Sequence, residues 1–364
     1  MKLRSRLRLN LWQKAICGIF FALFFSSSLN LDLSFADDIS ARAAVVIDES
    51  DGKILFAKNP DLKLPPASTT KLVAAMVALE SISPGKIIVI SKKAANTPSV
   101  SPHLKIGERY KAEDLLYLAL MRSVNSAAVA LAESSAGSED AFVKLMNKKV
   151  STLGAKNTRF ANSSGLPGGV QHITAKDLAL IMKEAVKNRL ISEIINTKEK
   201  EIVSIDGRVM AIKNTNHLLW SDDGNMGGKT GYTRAAKHCF VCVSKKEQTS
   251  LIAVVLGEPI RERLWDTTSL LLLRGHDVLQ NNYQPIVYFS DSDINNKPYL
   301  KASNKSKKAY RVHSASKNKA AKKANIAKGN VKSNGYKLAK KNKGHNSAQI
   351  KVAKKNGARK KSVS

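Results

Sequence analysis

The chain has 364 residues, 43% of them hydrophobic, enough to bury a full core in one large domain or two ordinary ones. Its formal net charge is +31, yet residues 301–364 hold 21 Lys and Arg and no Asp or Glu, which leaves +10 for the first 300 residues. The high charge therefore belongs to a tail, and a uniformly basic catalytic surface is excluded.

The N-terminus reads as an export signal. Lys2, Arg4, Arg6, Arg8 and Lys14 precede an apolar run from Ala15 to Phe25, and Ser34-Phe35-Ala36 follows with small residues at a cleavage site. Cleavage is expected after Ala36, making 1–36 a signal peptide, because the apolar run is shorter than the ~20 residues that a spanning helix needs. Cys17 follows Lys14-Ala15-Ile16, which lacks the small and apolar residues of a lipoprotein site, so no lipidation is expected. The expected location is the bacterial periplasm or cell envelope, with peripheral attachment to a membrane left open.

Two strands, Ala43 to Ile47 and Lys53 to Ala57, flank Glu49-Ser50-Asp51-Gly52 as a hairpin. Pro65-Pro66-Ala67-Ser68-Thr69-Thr70-Lys71 follows and runs into the apolar stretch Leu72 to Leu79. The prolines fix an extended entry, Ser68 falls at a helix N-cap or first turn, and the Ala- and Leu-rich run is a good helix former. Ser68 and Lys71 then share one helical face. A buried lysine can lose its proton and serve as base for the serine, and the helix N-terminus offers N–H groups to a developing oxyanion. Ser-x-x-Lys recurs at Ser50/Lys53, Ser83/Lys86, Ser314/Lys317 and Ser316/Lys319, so the context of this copy matters more than the spacing.

Residues 86–112 are mixed, with a short strand over Ile87 to Ile90. A helix over Ala112 to Met121 breaks at Arg122-Ser123-Val124-Asn125 and resumes over Ser126 to Glu133. A serine and an asparagine at such a break either point into a cleft or cap the second helix. Helices are expected over Asp140 to Leu153 and Ala175 to Val186, the latter capped by Thr174, with a turn-rich loop from Phe160 to Pro167 between them. His172, with no paired carboxylate evident, reads as structural.

Further on, Gly227-Gly228-Lys229-Thr230-Gly231-Tyr232-Thr233 reads as a strand bounded by glycines that would allow close backbone approach by a ligand. A cation beside a hydroxyl suits a carboxylate, although a surface lysine fits Lys229 equally well in isolation. Cys239 and Cys242, three apart in a strand, should point to opposite faces, which argues against a disulfide, and a lone C-x-x-C is a poor metal site. No metal or other cofactor is expected. Strands over Cys239 to Ser244 and Ser250 to Leu256 lead to a last helix from Arg261 to Arg274. These elements together give an α+β fold with an antiparallel sheet.

Ser68-x-x-Lys71, Ser123-x-Asn125 and Lys229-Thr230-Gly231 occur in the order of the three-motif set of penicillin-binding proteins and class A β-lactamases. Pro66-Ala67, Asp114-Leu115-Leu116, Leu145-Met146-Asn147, Gly165-Leu166, Asn214-Thr215-Asn216 and Tyr232-Thr233 extend the likeness from about Ala43 to Gly275. The sequence resembles the D-alanyl-D-alanine carboxypeptidases, low-molecular-mass penicillin-binding proteins of serine peptidase family S11. The resemblance implies the penicillin-binding protein/β-lactamase-like fold, an antiparallel sheet flanked by helices plus an all-helical region, with the cleft between. It implies a catalytic set of Ser68 as nucleophile, Lys71 as its base, Ser123 as proton relay held by Asn125 and the lysines, and Lys229. Thr230 and Lys229 would bind the terminal carboxylate of the substrate. Gly231 and Tyr232 would belong to the substrate strand, with the N–H groups of Ser68 and Tyr232 as oxyanion hole.

The implied substrates are peptidoglycan stem peptides ending in D-Ala-D-Ala, and β-lactam antibiotics would acylate the same serine. A D,D-endopeptidase shares all three motifs. A β-lactamase needs a Glu-x-x-Leu-Asn loop that is not found between the second and third motifs, and an idle wall- or polyanion-binding protein is the remaining reading. The sequence departs from the family at Val124 and Ser126, and at Lys237-His238, where the family usually places Gly first. The catalytic domain is expected over 37–280, a linker over 281–300 and a disordered Lys-rich tail over 301–364. That tail suits anionic membrane or envelope polymers, and an exported protein is not expected to meet nucleic acid.

Overall fold

A computed structural model describes residues 39–221, 224–246 and 248–290. The expected signal peptide, the second half of the linker and the basic tail lie outside these residues. The chain opens with β1 (Ala43–Asp48) and β2 (Ile54–Lys58), and after a 3-10 turn over Ala67–Thr69 continues into α1 (Thr70–Ser81). A largely helical middle follows: β3 (Ile87–Val89), α2 (Lys92–Asn96), β4 (Arg109–Lys111), α3 (Ala112–Leu120), α4 (Asn125–Ala136), α5 (Glu139–Thr152), α6 (Ala175–Ala185) and α7 (Arg189–Asn196). A hairpin, β5 (Glu199–Val203) and β6 (Val209–Lys213), and the short α8 (Leu218–Ser221) lead back to the sheet as β7 (Asn225–Thr233), β8 (Lys237–Lys246) and β9 (Thr249–Glu258). The last helix, α9 (Arg261–Leu279), is followed by β10 (Ile286–Tyr288).

The main sheet has the order β10-β2-β1-β9-β8-β7, antiparallel except for the β10–β2 pair. Its central strands bury both faces, which explains their nearly unbroken apolar sequences. Val45 and Ile47 of β1, Val241 of β8 and Val254 of β9 enter the core shared with the helical middle. Ala44, Val46, Phe240 and Val255 face the other way, into the core that Leu264, Leu271 and Leu272 of α9 complete. Cys239 and Cys242 divide between these two cores, as the strand period requires. On the first face α1 is buried almost all round from Thr70 to Ala78, which is why its sequence is apolar rather than amphipathic.

Two stretches at the C-terminal end of the described chain differ from the sequence expectation. Ile286–Tyr288 pairs with Phe56–Lys58 as a parallel edge strand, so ordered structure runs into the region assigned to a linker. The apolar triplet finds a free strand edge, and Tyr288 packs edge-on against Phe56 at 5.9 Å. The last helix also runs five residues beyond Arg274, because Gly275 sits where a Cβ would come within 2.8 Å of Val46 and the helix must pass close to the sheet there.

β7 is the edge strand opposite β10, and it turns into β8 through Arg234-Ala235-Ala236. At the end of that turn Lys237 adopts φ +59°, the left-handed region that a side-chain-bearing residue enters at a cost of about 1 kcal/mol. The glycine usual for the family at this position would relieve that strain. Lys237→Gly is accordingly expected to raise the melting temperature by about 2–4 °C, and a thermal melt showing a loss would contradict the strain assignment.

Candidate active site

Ser68 lies in the 3-10 turn at the head of α1, and Lys71 stands one turn further on. The turn is locked by its own threonines: Thr69 Oγ1 donates to the Pro66 carbonyl at 2.6 Å, and Thr70 Oγ1 to the Ala67 carbonyl at 2.8 Å. Ala67 is held at φ +47°. Strained residues of this kind gather at working sites, where surrounding packing over-determines them.

The Lys71 side chain is 1% exposed and makes three polar contacts. Its Nζ donates to Asn125 Oδ1 at 2.6 Å and to the Ser164 carbonyl at 2.7 Å, and lies 2.9 Å from Ser68 Oγ. Both of the first two partners only accept. In the ammonium form the third N–H donates to Ser68 Oγ, and in the neutral amine these two acceptors would take both N–H bonds and leave the lone pair for the serine hydroxyl. Burial, and secondarily the nearby Lys229 ammonium, push the Lys71 pKa well below its ordinary value. The orientation of Asn125 is fixed independently, since its Nδ2 donates to the Pro98 carbonyl at 2.7 Å and so turns Oδ1 to the lysine.

The Ser164 carbonyl is aimed by a loop tied at both ends. Asn162 Oδ1 accepts from the Gly165 N–H at 2.7 Å, and Glu139 accepts from the Ser163 N–H and hydroxyl at 3.0 and 2.7 Å. Those bonds and the Lys93 ammonium lower the Glu139 pKa against the opposing effect of its burial, which is the largest single influence. Gly165 (φ +80°) presses the loop onto the nucleophile turn: an added Cβ would lie 1.7 Å from the Ala67 carbonyl oxygen. Gly165→Ala should therefore displace the loop, destabilise the fold by about 3 kcal/mol or more, and slow Ser68 acylation. Chemical denaturation beside penicillin labelling checks both effects, and a variant of parental stability would contradict the packing described.

Ser123 occupies the α3–α4 turn at φ +67°, a second strained residue facing the same cleft. Lys229, fully buried on β7, donates from Nζ to Ser123 Oγ at 3.1 Å and to the Thr230 carbonyl at 2.9 Å. Burial brings its pKa down to about 7. Thr230 Oγ1 shares a hydrogen bond of 2.7 Å with Thr215 Oγ1, and Thr215 in turn donates its backbone N–H to the Met121 carbonyl. Gly231 rests against the nucleophile turn, where a Cβ would meet Ser68 N at 3.0 Å. The space left by glycine thus lets the backbone of β7 pass alongside the Ser68 nitrogen, one residue before Tyr232.

Ser68, Lys71, Ser123, Asn125, Lys229, Thr230 and Gly231 come together here, and Tyr232 follows on β7 with its ring exposed. Lys229 bonds Ser123, while the side-chain bonds of Asn125 run to Lys71 and the Pro98 carbonyl rather than to Ser123. Sequence reasoning missed the Ser164 carbonyl, a backbone group that no residue type betrays. It also gave no role to Thr215, although Asn214-Thr215-Asn216 stood out. His172 pairs through its backbone with Arg159, away from this cluster of bonds.

The site can deprotonate a serine, deliver a proton from a second serine, and hold an anion beside two threonine hydroxyls and a lysine. Known proteins place that chemistry. Residues 32–259 match the family model for peptidase S11, D-alanyl-D-alanine carboxypeptidase. The D-alanyl-D-alanine carboxypeptidase DacF of Bacillus subtilis is 36% identical over 64% of this chain, a match that takes in 61% of the Bacillus protein's own length. A D-alanyl-D-alanine endopeptidase of Pseudomonas aeruginosa is 35% identical over 62% of the chain and 73% of that protein. Among solved structures, a D-alanyl-D-alanine carboxypeptidase of Mycobacterium tuberculosis superposes with a TM-score of 0.63 at 32% identity, covering 66% of this chain and 92% of that one. The Streptomyces K15 DD-transpeptidase gives 0.62 at 27% identity, covering 65% and 97%. The fold is therefore that of the penicillin-binding proteins and DD-peptidases, and the chain belongs to the peptidase S11 family of D-alanyl-D-alanine carboxypeptidases.

Proposed function

We propose that this chain is an exported serine-type carboxypeptidase that removes the terminal D-alanine from peptidoglycan stem peptides ending in D-Ala-D-Ala. The observation that carries the reading is the Lys71 amine, buried and with its two N–H bonds committed to the Asn125 and Ser164 oxygens, 2.9 Å from Ser68 Oγ. Lys71 takes the Ser68 proton as Oγ attacks the carbonyl of the penultimate D-alanine. The tetrahedral oxyanion is stabilised by the N–H groups of Ser68 and Tyr232, an arrangement worth about 10²–10³ in rate per donor. Collapse breaks the C–N bond, and Ser123 passes a proton to the departing amine while the Lys71 proton replenishes it. Water then hydrolyses the ester, with Lys71 again as base, and Ser68 regains its proton. Thr230, supported by Thr215, and Lys229 hold the substrate's terminal carboxylate.

A β-lactam, which presents a strained amide and a carboxylate at similar spacing, is expected to acylate Ser68 in the same way. Two relatives about 35% identical are named endopeptidases, so cleavage of cross-linked peptides at this site is the second reading. The 21 cations of residues 301–364 suit anionic lipid or envelope polymers, to which each adds up to ~1 kcal/mol near the surface.

The test is mass spectrometry of the 37–364 protein with a pentapeptide ending in D-Ala-D-Ala and with a cross-linked dimer, beside Ser68→Ala. Release of one D-alanine by the parent alone supports the carboxypeptidase, and cleavage of the dimer only supports the endopeptidase. No cleavage of either, together with no penicillin adduct on Ser68, overturns both.

A further inference from the structure

The functional assignment above fixes a direction along β7. The terminal carboxylate of the substrate lies at Thr230 and the scissile carbonyl at the Tyr232 N–H, two residues further along the same strand. The remainder of the peptide, on the acyl side, must then continue past Tyr232 toward the β7–β8 turn. At about 3.3 Å per residue of extended chain, the residue preceding D-Ala-D-Ala reaches the level of Thr233, whose cross-strand partner is Lys237.

That end of the sheet is cationic. Arg234 and Lys237 of the turn and Arg261 at the start of α9 are all exposed, and none takes part in an ion pair among the described residues. Lys237 stands where the family usually has glycine and accepts a left-handed backbone to do so. Beside it the Tyr232 ring, 58% exposed, lies against His238 at 4.5 Å with the two planes tilted by 34°. Burial first, and then Arg261, lower the pKa of both His217 and His238, with Glu262 and Glu258 opposing the shift at His238 and Lys237 adding to it. Of the nearest carboxylates, Glu258 is fully buried and accepts from the Ser40 hydroxyl and the Ile260 N–H, leaving Glu262 alone at the surface.

We propose that Arg234, Lys237 and Arg261 form an acyl-side subsite for a carboxylate, so that the enzyme prefers donor peptides with an acidic residue immediately before D-Ala-D-Ala. The inference rests on the D-Ala-D-Ala reading of the same site. Exposed charges act weakly one at a time, and three together should favour the acidic peptide about fivefold at low salt, the preference fading as salt rises.

The test compares two pentapeptides that differ only in glutamate or glutamine at the third residue from the C-terminus, reading kcat/KM for each at ~20 mM and ~500 mM salt. The glutamate peptide should be preferred about fivefold by the parent at low salt. The ratio should fall toward unity at high salt and in the variants Lys237→Gly and Arg234→Gln/Lys237→Gly. Lys237→Gly suits the left-handed backbone, so loss of the ratio cannot be ascribed to unfolding. Turnover of both peptides at equal rates by the parent, or a ratio untouched by the variants, would overturn the subsite alone. Failure of the parent to turn over either peptide would overturn the carboxypeptidase reading and the subsite with it.

Discussion

Lys71→Arg should lower the rate of Ser68 acylation by about 10³–10⁴-fold while leaving the fold intact. Arginine keeps the reach along α1 and the capacity to donate to Asn125 Oδ1 and the Ser164 carbonyl, but its charge is permanent. It cannot lose its proton, because its pKa lies above ~12. The substitution therefore separates a lysine that works as a base from one that only orients the serine. Penicillin acylation followed by intact mass, with a thermal melt to verify folding, measures the effect. A loss smaller than about tenfold would show that charge and hydrogen bonding suffice, and the base would have to be sought elsewhere.

Asn125→Asp is the second large effect, expected to cost about 10²–10³-fold at pH 7 with recovery as the pH rises. The carboxylate is nearly isosteric with the amide, but it would form a buried ion pair with Lys71 and hold the amine protonated. Its second oxygen would also face the Pro98 carbonyl, where Nδ2 now donates at 2.7 Å. The sign follows from the charge: an anion beside a cationic acid raises the pKa of that acid, so the reactive amine reappears only at higher pH. A loss of equal size at every pH would mean that Asn125 acts through packing alone.

Much of this site was legible in the sequence because it is built from side chains at short, fixed spacings. Ser68 and Lys71 lie one helical turn apart, and the apolar run after them foretold the burial that alters the lysine. The glycines of β7 read as room for a ligand, whereas at Gly231 the space is taken by the Ser68 backbone of the protein itself. The alternation that separates Cys239 from Cys242 also carried through, since strand period is a local property.

The β5–β6 hairpin did not show itself. Its first strand, Glu199-Lys200-Glu201-Ile202-Val203, buries only Ile202, and such a polar sequence forms a strand through pairing with Val209–Lys213 rather than through propensity. β10 was hidden because three half-buried residues become a strand only when β2 offers an edge. The turning of the Asn125 side chain to Lys71 and the Pro98 carbonyl goes with the fold of the α3–α4 turn, where Ser123 takes a left-handed φ that residue identity does not encode at a serine.

The most direct measurement is the pH dependence of kcat/KM for a D-Ala-D-Ala pentapeptide. With the Lys71 pKa held well below its ordinary value by burial, the limb on which the base is lost by protonation lies at lower pH than an ordinary lysine would give. Lys229, with a pKa of about 7, loses through that region the charge that meets the substrate carboxylate. A bell-shaped profile is expected, its alkaline limb near pH 7, with no further rise toward the ordinary lysine value of 10.5. A rate that climbs steadily to pH 10 would show that Lys71 is protonated at neutrality, and would contradict its role as the base that activates Ser68.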